Sequence, residues 1–90
     1  MRRKKERTTV QHINIQKAQH LSDYKIILEF NDGKKNTINF EDFITKSQHP
    51  DIQKYKDINL FKNFNLQYGE LEWNDYELAF PIDDLYQNTI

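Results

Sequence analysis

The chain has 90 residues, of which 37% are hydrophobic, 13% aromatic and 30% charged, with a net charge of −1 and no cysteine. That length allows one domain and no second core, and the missing cysteines exclude a disulfide framework and any Cys-based zinc site. No run approaches the roughly 18 apolar residues of a membrane span. The basic N-terminus lacks the apolar stretch of a secretory signal, so a cytoplasmic protein is expected.

Residues 1–10 read as a basic arm. Arg2, Arg3, Lys4, Lys5 and Arg7 stand against Glu6, a net of +4, whereas the other eighty residues carry eight basic and thirteen acidic side chains, a net of −5. Such a split reads either as a solvated terminus or as an arm that touches nucleic-acid phosphates or an acidic partner. Residues 11–90 read as one domain.

The segment from His12 to Leu21 is a weak strand carrying Ile13 and Ile15. Its alternation slips near Ala18, which predicts an edge strand or a bulge. Then Tyr24, Ile26, Leu28 and Phe30 share one face, with Ile38 and Phe40 on the return strand. Even positions must pair with even ones, so the loop has an odd length. Asn31-Asp32-Gly33, closed by Gly33 in the left-handed region, pairs Ile26 with Ile38 and Tyr24 with Phe40. Glu41–Lys46 reads as one short helical turn. Pro50–Asn63 opens with Pro-Asp and predicts a short helix with Ile52, Tyr55, Ile58 and Phe61 on its inner stripe.

A second hairpin has the opposite parity, since Phe64, Leu66 and Tyr68 are even but Leu71 and Trp73 are odd. A two-residue Gly69-Glu70 turn pairs Tyr68 with Leu71 and Leu66 with Trp73. Pro81–Gln87 makes a last helical turn. The predicted fold is α+β, a small antiparallel sheet of two hairpins plus an N-terminal strand, with one short helix and a C-terminal helical turn. Its expected core is Trp73, Leu66, Tyr24, Ile26, Leu28 and Phe40.

Little in this pattern points to catalysis. His12 and His20 share parity, but eight residues of rise place them more than about 20 Å apart, too far to share an ion. His49 precedes Pro50 in a loop, and all three read as ordinary exposed histidines. No nucleophile elbow, Walker loop or metalloprotease signature occurs, and both glycines are used by turns. Neither a catalytic residue nor a metal nor a cofactor is expected. Trp73 offers a stacking platform for bases in principle, but parity and the acids around it assign it to the core. Glu70 and Glu72 fall opposite Leu71 and Trp73, on an expected solvated face. No Lys or Arg follows Lys62, so the charge of Glu70, Glu72, Asp75 and Glu77 is expected to be met by solvent or by a basic partner.

Taken together, Tyr24-x-Ile26-x-Leu28-x-Phe30-x-Asp32-Gly33, Ile38-Asn39-Phe40, Leu60-Phe61, Gly69-x-Leu71-x-Trp73 and Leu85-Tyr86 resemble the DUF2442 family. The resemblance covers about residues 13–86. It implies a small bacterial α+β domain of unknown function with curved antiparallel strands and no established catalytic residues. Family members often lie beside a second small family, DUF4160, an arrangement that suggests a toxin–antitoxin pair with this type as the antitoxin. Two departures stand out. The family usually follows its Trp with a glycine-containing turn, whereas this chain has Trp73-Asn74-Asp75-Tyr76, and the basic arm lies outside the family core.

The expected function is therefore a non-enzymatic protein-interaction module, antitoxin-like, using Glu70, Glu72, Asp75 and Glu77 against a small basic partner such as a DUF4160-type toxin. The alternative is a nucleic-acid-associated regulator using Arg2, Arg3, Lys4, Lys5 and Arg7. A domain this small also gains from self-association, so a homo-oligomer is compatible with either reading.

Overall fold

Alternation of apolar and polar residues builds the first sheet as parity requires. In the computed structural model, which describes residues 13–90, strands β1 (Ile15–Ser22), β2 (Lys25–Phe30) and β3 (Lys35–Asn39) pair antiparallel in that order. The basic arm and His12 lie outside the described residues. Ile26 faces Ile38, and the Phe40 N–H donates to the Tyr24 carbonyl at 2.9 Å, so the register runs on to the 24/40 pair. The loop is Asn31-Asp32-Gly33, with Gly33 at φ +93° and the Phe30 N–H bonded to the Lys34 carbonyl at 2.8 Å. The odd loop thus stands, and Ile26, Leu28, Phe30, Ile38 and Phe40 are all buried on one face.

β1 is an edge strand with two irregularities, one between Ile15 and Lys17 and one between His20 and Ser22. The edge strand and bulge expected from the slip near Ala18 are both present, with Ala18 itself paired in register with Leu28 and an extra residue on either side of it. Bulges of this kind blunt an exposed edge.

Glu41–Lys46 forms helix α1 as expected. The single helix expected over 50–63 does not form. The segment breaks into α2 (Pro50–Gln53), a 3-10 turn (Lys54–Lys56) and α3 (Ile58–Phe61). Spacings of three explain this. In a continuous α-helix, nine residues at 100° each turn Phe61 to the side opposite Ile52, whereas tighter 3-10 winding keeps such residues on one side. Asp57 makes the break by leaving helical geometry (ψ 114°) and accepting the Asn59 N–H as a new N-cap. Most of the inner stripe survives, with Tyr55 and Phe61 buried and Ile52 packed on the core, but Ile58 is only half-buried and leaves it.

The second sheet holds β4 (Asn65–Gln67), β5 (Glu70–Trp73) and β6 (Leu78–Ala79), antiparallel in that order. β6 adds a strand that the sequence reading missed. The turn is also displaced by one residue, because Leu66 pairs with Leu71 and Gln67 with Glu70. Tyr68 (φ +54°) and Gly69 (φ +78°) are the two central residues. Positive φ at both is a type I′ turn, which takes glycine at its second position rather than its first. Leu66 therefore lies at the sheet margin, 36% exposed, and leaves the predicted core.

Helix α4 (Ile82–Gln87) closes the fold. The Asn36 side-chain amide donates to the carbonyls of Leu85 (2.9 Å) and Tyr86 (2.7 Å), capping the helix end from β3. The Tyr86 hydroxyl donates to Asp32 at 2.5 Å, which holds that carboxyl below the usual range. At the centre, the fully buried Trp73 indole lies 5.6 to 6.2 Å from the rings of Phe61, Phe40, Phe80, Tyr55 and Phe64, and its N–H donates to the Phe61 carbonyl at 2.6 Å.

Candidate functional site

Strand β5 presents Leu71 and Trp73 to the core and turns Glu70 and Glu72 to the other face, beside Asn65 and Gln67 of β4. That face is not uniformly wet. Glu72 is fully buried, which corrects the expectation that it lies on a solvated face. What covers it is the β5–β6 turn, whose residues Asn74, Asp75 and Tyr76 all have left-handed backbones (φ 51°, 56° and 67°). Asn and Asp tolerate this region, but a bulky Tyr rarely does. The Glu72 carboxylate holds the turn by accepting the Tyr76 N–H at 2.8 Å and the Gln67 amide at 2.8 Å. Those two hydrogen bonds, more than burial opposes, keep its carboxyl below the ordinary range.

Glu77 ends the same turn and is also spoken for. Its Oε1 receives Lys54 Nζ at 2.5 Å, the Tyr55 hydroxyl at 2.8 Å and the Asn74 amide at 3.1 Å. Lys54 first, then Asn74 and Tyr55, hold the carboxyl down to about 2, while burial and the Glu77 bond push the Tyr55 phenol up. The expectation that no internal cation meets these acids is thus corrected for Glu77. Its partner precedes it by 23 positions and arrives on the broken helical segment. Between that segment and the turn lies a cleft of about 390 Å³, lined by Lys54, Leu60, Asn63, Trp73, Asn74 and Asp75 among others.

The four predicted acids therefore divide. Glu72, buried, and Glu77, exposed but paired, are engaged in holding the turn, whereas Glu70 and Asp75 are exposed and take no part in that pairing. Two tyrosines join the exposed pair. Tyr68 stands at the β4–β5 turn with 91% of its surface open, and Tyr76 is 42% exposed with its hydroxyl 3.2 Å from Glu70 Oε1. Sequence reasoning missed both, because parity allowed Gly69-Glu70 as the turn equally well. Elsewhere, His20 Nε2 lies 2.8 Å from the Asp23 carbonyl and His49 Nδ1 accepts the Asp51 N–H at the start of α2. Among the described residues, no group of His, Cys, Asp and Glu is placed to hold a metal ion, and no helix is long and apolar enough to cross a membrane.

The lowered carboxyls predict an acid-sensitive hairpin. A carboxyl whose folded pKa is depressed stabilises the fold above its unfolded value and loses that contribution as pH falls towards the folded one. For Glu77 the window runs from the ordinary 4.5 down to about 2. Urea midpoints are expected to drop across this range, and Lys54→Met to flatten the drop. An unchanged slope in the variant would show that Lys54 does not set it.

Comparison with curated proteins gives no significant match, and neither does comparison with solved structures. The family model described as a protein of unknown function, DUF2442, matches residues 15–90, from the first residue of β1 to the end of the chain, and includes both hairpins and the turn over Glu72. The chain belongs to the DUF2442 family.

Proposed function

We propose that this domain is a non-enzymatic protein-interaction module whose contact surface is the tip of the β4–β5 hairpin. The observation that carries the reading is Tyr68, a large aromatic residue 91% exposed at a left-handed position. Asn or Gly makes that turn at lower cost, so the tyrosine is not explained by folding. Tyrosines concentrate at interface centres. Glu70 and Asp75 beside it favour a partner surface rich in Lys and Arg, with association steered by charge and screened by salt. An antitoxin-like role against a small basic partner, of the DUF4160 type beside which family members lie, fits this surface, as does a cytoplasmic setting. The rival reading is nucleic-acid association through Arg2, Arg3, Lys4, Lys5 and Arg7. Its support is the arm's net charge alone.

Tyr68→Asn separates function from fold. The substitution removes no core contact and places a residue that tolerates the left-handed region, so the melting temperature is expected to hold or rise. Capture of the protein encoded beside this chain is expected to weaken roughly 30-fold, the loss of about 2 kcal/mol typical of an interface hot spot. Undiminished capture by the Asn variant sinks the proposed surface. A salt-sensitive gel shift lost on neutralising the arm supports the rival instead.

A further inference from the structure

The described residues begin beside the tyrosine surface. Asn14 lies directly on the β4–β5 turn, close enough that a Cβ added to Gly69 falls 2.6 Å from the Asn14 Cβ. The next residue repeats the contact, with the Ile15 N–H donating to the Gly69 carbonyl at 2.9 Å. Asn14 is fixed from the other side as well, its carbonyl accepting the Asn31 N–H at 2.8 Å. The chain direction is thus set beside Tyr68 and Glu70, with Tyr76 one hydrogen bond further on. The Tyr76 hydroxyl donates to Glu70 at 3.2 Å, and burial together with that bond pushes the Tyr76 phenol up.

The geometry points to the chain's own basic arm, Arg2 to Arg7, as an occupant of the Tyr68–Glu70–Tyr76 surface, competing there with a basic partner. This rests on the reading of that surface as a contact site. Arg7 precedes Asn14 by seven positions, a reach of about 23 Å when extended, ample for a surface that begins at the next turn. Arg2, Arg3 and Arg7 supply guanidinium groups suited to the open faces of Tyr68 and Tyr76, and Glu70 and Asp75 supply the opposite charge. A tether this short holds the arm at an effective concentration on the order of millimolar. Contacts with a dissociation constant near that value fill the surface about half the time. The partner surface is then partly covered in the free protein and uncovered by salt or by a more basic competitor.

The test needs no partner. Amide NMR spectra of the full chain are compared with those of a variant carrying Gln at Arg2, Arg3, Lys4, Lys5 and Arg7. Shift differences are expected at Tyr68, Glu70, Asp75 and Tyr76 in about 0.01 M salt and are expected to vanish near 1 M, where charges are screened within about 3 Å. Glu70→Gln with Asp75→Asn is expected to erase the same differences at low salt. No differences, or differences confined to the Lys17 and Lys35 face of the first sheet, overturn the inference. Shifts that appear while Tyr68→Asn leaves partner capture intact uphold the arm's docking and overturn the functional reading. Weakened capture without shifts does the reverse.

Discussion

Trp73→Ala is expected to unfold the domain. The indole is fully buried where the second sheet, the broken helical segment and the first hairpin meet, and five aromatic rings lie within 6.2 Å of it. Deleting a buried aromatic costs about 3–5 kcal/mol, the lost transfer energy plus the cavity left behind. The Phe61 carbonyl also loses its donor. A domain of this size holds on the order of 5 kcal/mol in total, so the variant has little left. Trp73→Phe keeps most of the ring contacts and loses the N–H bond, and is expected to remain folded at reduced stability. Urea unfolding followed by far-ultraviolet circular dichroism distinguishes the two. A Trp73→Ala protein with an unchanged midpoint would show that these rings repack without the indole.

The first hairpin was legible because two signals agree there. Parity demands an odd loop, and Asn-Asp-Gly supplies the one left-handed position such a loop needs, realised at Gly33. At the second hairpin parity was satisfied by two adjacent loops of equal length, Tyr68-Gly69 and Gly69-Glu70. Only the backbone sign at Tyr68 (φ +54°) separates them. The helical stripe over 52–61 was correct as a face except at Ile58 and wrong as a helix, because spacings of three suit 3-10 geometry and Asp57 is a cap within the segment. Glu72 was illegible for a different reason. Alternation assigns a charged strand residue to solvent, and the turn that covers it depends on the carboxylate being there. β6 escaped notice because two residues, Leu78 and Ala79, carry no period. The pairing of Glu77 with Lys54 joins elements whose contact only the tertiary fold creates.

Glu72→Ala tests whether one carboxylate holds the β5–β6 turn. Its two donors are the Gln67 side chain and the backbone N–H of Tyr76. The side chain can turn to water when the acceptor goes. The backbone group is held in place by a run of three left-handed residues. Each buried donor left without a partner costs about 1–3 kcal/mol, and each non-glycine residue held in that region stores about 1–3 kcal/mol of strain that the carboxylate opposes. The turn is therefore expected to open. β6, which pairs with β5 only through Glu72–Ala79 and Trp73–Leu78, is expected to detach with it. Hydrogen exchange at the amides of Tyr76, Leu78 and Ala79 reads this locally, and a global loss of about 2–4 kcal/mol in urea follows from the exposed margin of the core. Glu72→Gln keeps one acceptor oxygen but sets its amide hydrogens against N–H donors, so it falls between wild type and Ala. Protected amides at 76, 78 and 79 in the Ala variant would assign the turn's stability to the Lys54–Glu77 bridge instead.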